Sequence, residues 1–284
     1  MCGIVGILGR GPVAEQLVDS LKRLEYRGYD SAGVATLEGI QLDRRRAKGK
    51  LKNLEAVLKT SPLAGHIGIG HTRWATHGKP TENNAHPHAT DNVAVVHNGI
   101  IENFRDLRTQ LEAQGAKFSS ETDTEVVAHL VNSYLAKGFS PVDAVKATLP
   151  QLHGAFALAF IFKGEENLMI GARKGSPLAV GYGDGEMYLG SDAIALGPFT
   201  DTISYLDDGD WVVLSRADAT VYDDKNAVVE REIVKHNTAS ALVDKANYRH
   251  FMAKEIHEQP EVVGHTLAHY VDMATEKVSM PVKL

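Results

Sequence analysis

Short apolar runs bounded by turn residues fill the second half of the chain and constrain its fold more than any other feature. They lie at residues 156–162, 168–172, 178–181, 187–189 and 211–214. Runs of this length between Gly, Pro, Asp and Asn residues are typical of β-strands joined by tight turns. A parallel sheet needs a helix between its strands, and most of these connections are too short to hold one. The pattern therefore predicts an α+β fold with antiparallel sheets and the helices packed outside.

The first half of the chain alternates between strand-like and helix-like segments. Apolar runs predict strands at residues 3–8, 31–37, 67–73 and 93–97. Apolar spacing and end signals predict helices at residues 12–26, at 103–114, from 122–125 to about Lys137, and from Ser140-Pro141 onward. Gly28 and Gly115 are expected to close the first two helices, and residues 122–125 have the pattern of a capping box. Asn98-Gly99 directly after a strand predicts a tight turn.

Charge and cysteine content exclude several classes of function. The formal net charge is −6 and the pI is about 6.1, whereas a nucleic-acid or anionic-membrane partner requires a basic surface. Arg44-Arg45-Arg46 is too short to reverse this and is predicted to lie on a solvated strand edge. One cysteine cannot form an internal disulfide, and the sequence shows neither a basic leader nor a long apolar segment. We therefore expect a soluble cytoplasmic protein.

The composition changes after about residue 235. Residues 235–246 contain few large apolar side chains and are predicted to form a linker, whereas residues 248–271 have a helical pattern. We expect one domain at residues 1–240, followed by a linker and helix at residues 241–284. The last residues carry no closing signal, which predicts that the sequence stops inside a longer polypeptide.

Cys2 is the only cysteine and directly follows the initiator methionine. If Met1 is removed, Cys2 carries both a thiol and a free α-amino group, whose unperturbed pKa values of about 8.5 and about 7.7–8.0 nearly match. The amine could then activate the sulfur as a general base, with one water carrying the proton because direct transfer is strained. The alternative is a small buried apolar residue at the start of a strand.

Histidines are concentrated in one stretch of the sequence. It contains His71, His77, His86, His88 and His97. His86-x-His88 on a strand would place both rings on one face, where they could ligate a metal ion. Carboxylate ligands are few in this stretch and it contains no cysteine, so packed or solvated histidines are the simpler interpretation. We expect no metal and no cofactor.

Three further positions carry groups suited to binding or catalysis. Arg73 follows an apolar strand and could hold a carboxylate through two parallel hydrogen bonds, although a structural ion pair is equally consistent. Asn98-Gly99 offers an amide side chain and a backbone N–H, the donors of an oxyanion hole, although a plain hairpin turn would look the same. Asp123 could receive an ammonium group or simply favour the helix dipole.

Together these motifs resemble one family. The matching stretches, in the family's order, are Cys2 to Gly6, Leu24 to Gly33, His71 to Gly78, Asn84 to His88, Val96 to Asn103 and Ser120 to Glu125. They are similar to the glutaminase domain of the glutamine–fructose-6-phosphate aminotransferases (glucosamine-6-phosphate synthases), class II amidotransferases of the N-terminal-nucleophile type. The resemblance covers residues 1 to about 240. Met252 to Pro260 resembles the family's lead into a sugar isomerase half, which we expect to be absent here.

The resemblance implies a four-layer α/β/β/α sandwich and a role for each matched residue. Cys2 would attack the side-chain amide of L-glutamine, and Asn98 and Gly99 would hold the oxyanion. Arg73 would bind the α-carboxylate of the substrate and Asp123 its α-ammonium group. The remaining implied roles are a lid lined by Thr76 and His77, a gate for ammonia at Trp74, and supporting positions at Arg27, Gly28 and His86.

The resemblance also implies what this activity serves. Hydrolysis of L-glutamine to glutamate would supply ammonia for converting fructose 6-phosphate to glucosamine 6-phosphate in amino-sugar (hexosamine) biosynthesis. The sugar phosphate would bind to the other half of the full-length enzyme, which is expected to be a homodimer. An alternative is the glutaminase domain of an amidophosphoribosyltransferase, although the lid and the Tyr26 to Gly33 stretch favour the sugar enzyme. A non-catalytic module would tolerate loss of Cys2 or Asn98, and both are present.

Overall fold

The chain forms two compact units, Met1–Thr238 and Ala239–Leu284. The computed structural model describes residues 2–27, 29–74, 78–235, 251–272 and 277–278. Two antiparallel sheets make up most of the first unit.

One sheet carries the N-terminal strand near its centre. Within the described residues it has eight strands, in the order β15 (Ile233–Lys235), β11 (Thr202–Tyr205), β9 (Ala179–Tyr182), β10 (Met187–Gly190), β1 (Gly3–Leu8), β4 (Ile67–Arg73), β2 (Ser31–Glu38) and β3 (Gln41–Lys48). All neighbouring strands pair antiparallel. Cys2 therefore stands at one end of a strand that has partners on both sides.

The second sheet is built mainly from the middle of the chain. Its seven strands, counted over the described residues, lie in the order β14 (Val228–Val229), β13 (Ala219–Tyr222), β12 (Trp211–Leu214), β8 (Met169–Lys174), β7 (Gly154–Phe162), β6 (Val93–Ile101) and β5 (His88–Ala89). These pairings are also antiparallel.

Three apolar clusters show how the layers stack. Side chains from both sheets, among them Ile4, Ile69 and Ala159, form a fully buried core between the sheets. Helices cover the two outer faces: α1 (Ala14–Lys22), α2 (Leu51–Thr60) and α6 (Ala193–Leu196) on the first sheet, and α3 (Phe104–Ala113), α4 (Thr124–Leu135) and α5 (Pro141–Thr148) on the second. The predicted α+β fold and its four-layer α/β/β/α arrangement are confirmed.

Both faces of β1 are covered, which explains its continuously apolar sequence. Ile4 and Leu8 pack in the core between the sheets, whereas Val5 and Ile7 pack with the outer helices. Burial of each such side chain stabilises the fold by about 1.5–3 kcal/mol. Gly6 lies where the sheets approach closely, because a Cβ there would stand 2.5 Å from the Met169 sulfur.

Most of the predicted elements are confirmed within a few residues. The strands predicted at residues 3–8 and 67–73 have those bounds. The first helix is shorter than predicted, because a 3₁₀ turn at Glu25–Arg27 follows it. At the start of α5, Ser140 Oγ accepts a hydrogen bond from the Asp143 N–H at 3.1 Å, as a helix cap does. The strand edge predicted at Arg44-Arg45-Arg46 is present as β3, whereas the sequence patterns did not predict α2.

The turn predicted at Asn98-Gly99 is wrong. The strand that was expected to end there continues as β6 to Ile101 and pairs with β7 throughout. Gly99 has a φ of +119°, and a Cβ at this position would lie 2.0 Å from the Ala155 carbonyl oxygen. Glycine is therefore needed here because two backbone segments approach closely inside the sheet, and not because the chain reverses direction.

The capping box predicted at residues 122–125 is also wrong. Asp123 precedes α4 but makes no side-chain capping bond. The Glu125 carboxylate instead accepts hydrogen bonds from the N–H and hydroxyl groups of Ser119 and Ser120, at 2.7–2.8 Å. Glu125 therefore holds the loop that leads into the helix.

The three arginines of β3 do not form a solvated edge. Their partly buried guanidinium groups donate to loop carbonyl oxygens: Arg44 to Pro87, Arg45 to Ser61, and Arg46 to Asn83 and Ala85. The loops cover the side chains of this edge strand. Their carbonyl oxygens do not pair with a strand, and the arginine side chains supply the hydrogen-bond donors instead.

The second unit contains one long helix. α7 (Phe251–Tyr270) confirms the helix predicted at residues 248–271, and β16 (Val271–Asp272) pairs with β17 (Lys277–Val278). The predicted linker at residues 235–246 lies, after Lys235, outside the described residues. In the part of the chain that the structure describes, no helix has the length and hydropathy of a membrane span.

Candidate active site

Cys2 lies directly before β1, where the chain enters the first sheet. Its sulfur accepts a hydrogen bond from the Trp74 N–H at 3.2 Å and lies 3.5 Å from the Trp74 carbonyl oxygen. Burial raises the pKa of the Cys2 thiol, although the Trp74 N–H and the charge of Arg73 act in the opposite direction. The thiol is therefore mostly protonated at rest and needs a base before it can act as a nucleophile.

Asn98 connects Cys2 to the second sheet. Its Nδ2 donates to the Cys2 carbonyl oxygen at 3.1 Å, and its Oδ1 lies 3.0 Å from His71 Nε2. A carbonyl oxygen can only accept, so Nδ2 must face Cys2 and Oδ1 must face His71. His71 Nε2 therefore carries a proton and donates it to Asn98.

His71 is suited to this role because it stays neutral. It is fully buried, and burial lowers its pKa to about 3 against the opposing effect of the bond to Asn98. A neutral imidazole with its proton on Nε2 gives Asn98 one fixed orientation at any pH near neutrality. His71 lies on β4 and Asn98 on β6, so this hydrogen bond crosses from one sheet to the other.

One small cavity brings most of the predicted residues together. Its lining includes Cys2, Arg73, Trp74, His86, Gly99 and Asp123, with His97, Thr122 and Thr124 completing the wall. The enclosed space is about 10 Å³. This is room for roughly one water molecule, so a substrate can bind only if these walls separate.

Arg73 ends β4 and is almost completely buried. Its guanidinium group donates to the carbonyl oxygens of Gly78 at 3.2 Å and Lys79 at 3.4 Å. A carboxylate of Asp30 lies 3.8 Å away. Arg73 thus faces the cavity while holding the chain that returns to it at Gly78.

Asp123 lies on the opposite wall of the cavity and is also buried. Its Oδ2 accepts the Ile101 N–H at 2.9 Å and lies 3.9 Å from His97 Nδ1. A buried carboxylate with few hydrogen-bond donors is suited to receive a cationic ligand group.

The remaining histidines form a packed cluster behind the cavity. The Thr124 hydroxyl lies 2.8 Å from His86 Nε2 and 2.9 Å from His97 Nδ1, and the centre of the His86 ring lies 4.1 Å from that of His71, with the rings tilted by 38°. Burial lowers the pKa values of His86 and His88, the latter to about 3. Within the described residues, no group of three or more His, Cys, Asp or Glu side chains is arranged to hold a metal ion. His86 and His88 are therefore neutral, and all three side chains, that of His97 included, are buried.

Some predicted site residues lie where the structure gives no side chain. Gly28, Thr76 and His77 are outside the described residues. Arg27 belongs to the 3₁₀ turn at Glu25–Arg27, and its side chain is not described. Trp74 follows Arg73 and its side chain is 54% exposed, so it stands at the mouth of the site rather than in the core.

Four residues at or beside the cavity were given no catalytic or binding role from the sequence: His71, His97, Thr122 and Thr124. His71 and Thr124 make direct hydrogen bonds to site residues. Both occur in the matched motifs, but only the tertiary structure brings His71 next to Asn98 and Thr124 next to His86.

Comparison with known proteins connects this geometry to a family. Residues 71–197 match the family described as "Glutamine amidotransferase domain". Over 100% of its length the chain is 75% identical to a glutamine–fructose-6-phosphate aminotransferase (isomerizing) of Bradyrhizobium diazoefficiens, and over 98% it is 66% identical to that of Brucella abortus. These alignments cover 47% and 46% of the relatives, so the chain spans about half their length.

Solved structures agree on the fold. A glutamine phosphoribosylpyrophosphate amidotransferase from B. subtilis aligns with a TM-score of 0.69 and 27% identity, over 80% of this chain and 50% of that one. The allosteric regulatory enzyme of purine biosynthesis aligns with a TM-score of 0.68 and 28% identity, over 78% and 49%. The purine enzymes are thus structural relatives at much lower identity than the sugar enzymes. Residues 71–197 thus carry a glutamine amidotransferase domain, and along its whole length the chain is similar to one half of the glutamine–fructose-6-phosphate aminotransferases.

Proposed function

We propose that this chain hydrolyses L-glutamine to glutamate and ammonia, with Cys2 as the nucleophile. The observation that carries the proposal is the single cavity lined by Cys2, Gly99, Arg73 and Asp123, with Asn98 bonded to Cys2. A nucleophile, an amide donor, a cation and an anion converge there from four separate stretches of sequence. The family match supports glutamine as the substrate.

The thiol attacks the side-chain amide carbon of glutamine. The sulfur forms a bond to that carbon, and the thiol proton passes to the α-amino group of Cys2, which requires removal of Met1. The carbonyl oxygen becomes an oxyanion, which the Asn98 amide and the Gly99 N–H stabilise. The tetrahedral intermediate expels ammonia as the amine returns the proton, and water then hydrolyses the γ-glutamyl thioester to glutamate.

Arg73 and Asp123 bind the two charged groups of the amino acid. Arg73 presents its guanidinium fork to the α-carboxylate, and Asp123 accepts hydrogen bonds from the α-ammonium group. Since the cavity is small, Trp74, Thr76 and His77 are assigned to a lid that opens for glutamine, with Trp74 gating the exit of ammonia. Supporting positions are assigned to Arg27, Gly28 and His86, and the burial of His86 against the cavity is consistent with this.

The wider role is taken from the relatives' names. We propose that residues 1–240 are the glutaminase domain and that residues 241–284 lead towards a sugar isomerase domain. The ammonia released from glutamine at Cys2 would convert fructose 6-phosphate to glucosamine 6-phosphate in hexosamine biosynthesis. A homodimeric full-length enzyme and a cytoplasmic location complete the proposal. The low cysteine content supports a reducing compartment.

The test is to replace the nucleophile and follow both turnover and labelling. Cys2→Ala is expected to abolish glutamate release and all covalent labelling by a chloroketone analogue of L-glutamine. Because the chain has one cysteine, the intact mass of the labelled wild type should increase by one adduct located on Cys2. Glutamate release by Cys2→Ala, or an adduct on another residue, would contradict the proposal.

A further inference from the structure

Gly78 and Lys79 lie beside Arg73, and two side chains hold Lys79: Asn84 from the same connection between β4 and β5, and Glu121 from the segment before α4. Asn84 Nδ2 donates to the Lys79 carbonyl oxygen at 2.9 Å. The Lys79 N–H donates to Glu121 Oε2 at 3.3 Å. One backbone position is therefore fixed from both sides.

Asn84 and Glu121 are also bonded to each other. Asn84 Nδ2 donates to Glu121 Oε2 at 2.9 Å, and the Glu121 N–H donates to Asn84 Oδ1 at 2.9 Å. A backbone N–H can only donate, so the Asn84 amide has one possible orientation, and both of its hydrogens are then used. We refer to Lys79, Asn84 and Glu121 as the 79–84–121 junction.

The junction is supported by the first sheet. Arg46 of β3 donates to the carbonyl oxygens of Asn83 and Ala85, at 3.0 Å each, and so grips the chain on both sides of Asn84. Asn84 is 2% exposed. Gly78 has a φ of +77°, and a Cβ there would lie 2.7 Å from Asn84 Nδ2, so the chain can pass this closely only as glycine.

Each end of the junction leads to a group that is proposed to bind glutamine. Arg73 donates to the carbonyl oxygens of Gly78 and Lys79. Glu121 precedes Asp123 by two residues. The junction therefore joins the segment that contacts the carboxylate-binding group to the segment that carries the ammonium-binding group.

We propose that Asn84 and Glu121 are positioning residues that set the spacing between Arg73 and Asp123 and thereby the affinity for glutamine; this rests on the proposed glutaminase function. Neither side chain lines the cavity around Cys2. Groups that hold the two ends of the substrate act equally on ground and transition states, so their loss raises KM with little change in kcat.

Glu121 stays ionised in this arrangement. The hydrogen bonds from the Asn84 side chain and the Lys79 N–H lower its pKa. The junction is thus complete throughout the neutral pH range, and its effect on KM is expected to be independent of pH there.

The first experiment measures steady-state glutaminase kinetics of the full chain. Asn84→Ala and Glu121→Ala are each expected to raise KM for glutamine about tenfold while kcat changes less than about threefold, as for loss of hydrogen bonds that position a binding group. Glu82→Gln is the matched control, because it lies in the same segment, is exposed and removes a carboxylate charge. It should leave both constants unchanged. An unchanged KM in the two junction variants, or a fall in kcat alone, overturns the proposal.

The second experiment separates positioning from damage to the nucleophile. Alkylation of Cys2 by iodoacetamide needs neither Arg73 nor Asp123, whereas labelling by the chloroketone analogue of glutamine needs both. In Asn84→Ala the iodoacetamide rate should match the wild type, and the analogue rate at low concentration should fall about tenfold. Equal changes in both rates would show a distorted site and overturn the proposal.

A double-mutant cycle tests whether Asn84 acts through Arg73. If it does, Asn84→Ala combined with Arg73→Lys should raise KM by less than the product of the single effects. Independent, multiplicative effects overturn the proposed route. A wild-type chain with neither glutaminase activity nor labelling at Cys2 would instead refute the underlying function, so the two failures are distinguishable.

Discussion

At the scale of single residues, the site depends on one amide whose direction is fixed from both sides. Asn98 donates to the Cys2 carbonyl oxygen and accepts from His71. In the proposed mechanism, an amide that is free to flip would present its oxygen to the oxyanion half of the time, which would repel the developing charge. The neutral, buried His71 prevents this without adding a charge of its own.

Asn98→Ala is expected to lower kcat for glutamine roughly 100- to 1,000-fold with a smaller change in KM, because an oxyanion donor acts in the transition state. His71→Leu removes only the donor that orients Asn98, so kcat should also fall, but by a smaller factor than in Asn98→Ala. His71→Gln should recover part of the loss if its side-chain N–H reaches Asn98 Oδ1. Steady-state kinetics of the three variants check this order.

A larger loss in His71→Leu than in Asn98→Ala would contradict the assigned roles, provided that circular dichroism shows both variants folded. An Asn98→Ala variant that changed KM alone would show that Asn98 binds the ground state instead.

The sequence pointed to a set of candidate residues that the structure brings close together, but it did not predict their contacts. Cys2, Arg73, Asn98 and Asp123 follow from chemistry and from family motifs. The bond from His71 to Asn98 joins two sheets, and sequence periodicity carries no information on how two sheets are stacked. Gly99 was assigned to a turn because Asn-Gly is a strong turn signal, whereas the sheet needs it for a close backbone approach.

At the scale of elements, α4 shows how a helix start can organise a site. Burial pushes the pKa of Glu125 upward, but the His129 ring 3.8 Å away and the hydrogen bonds from Ser119 and Ser120 outweigh this, and the pKa lies well below its ordinary value. The bonded carboxylate ties the loop at Ser119 and Ser120 to the helix. Asp123 lies between them and is held in place by this tie.

Glu125→Gln should lower the free energy of unfolding at pH 7 by about 1.5–3 kcal/mol, the contribution of hydrogen bonds to a charged group. A depressed folded-state pKa stabilises the protein above the unfolded pKa, about 4.3 for Glu, and this stability is lost as pH falls through the folded value. The difference between wild type and variant should therefore be constant above about pH 5 and shrink in stronger acid.

Urea unfolding of both proteins from pH 4 to pH 8 measures this. A difference that grew as the pH fell would show that the carboxylate is destabilising in the folded state, contrary to the structure.

Elements were predictable where their residues repeat with a clear period. β1, β4 and the helices with apolar stripes were placed within a few residues. The edge strand at the three arginines of β3 was predicted, but its solvation was not correct, because these side chains bind loop carbonyl groups that a local pattern cannot show. The predicted capping box does not form, because the Glu125 carboxylate accepts hydrogen bonds from the preceding loop instead.

At the scale of the whole molecule, the chain spans about half the length of its relatives. A polypeptide of these 284 residues is therefore expected to release glutamate and ammonia from glutamine and to make no glucosamine 6-phosphate from fructose 6-phosphate. Fructose 6-phosphate should not change its glutaminase rate, because stimulation needs contacts that favour one state of the lid. Parallel assays of glutamate and amino sugar, with and without the sugar phosphate, check this.

Formation of amino sugar by this polypeptide alone would show that the isomerase activity resides in these residues. Stimulation of glutamate release by the sugar phosphate would show a binding site for it within them.

The position of β1 between β4 and β10 also sets an order of events during synthesis. β10 begins at Met187, so the N-terminal strand cannot complete its sheet until that part of the chain exists. At roughly 5–20 residues per second, this leaves roughly 10–40 s after the first residues are made. During this interval the bond between Met1 and Cys2 remains accessible to an aminopeptidase on the nascent chain. For the nucleophile proposed above, removal of Met1 is therefore expected during translation, because the late synthesis of a distant strand keeps that interval open.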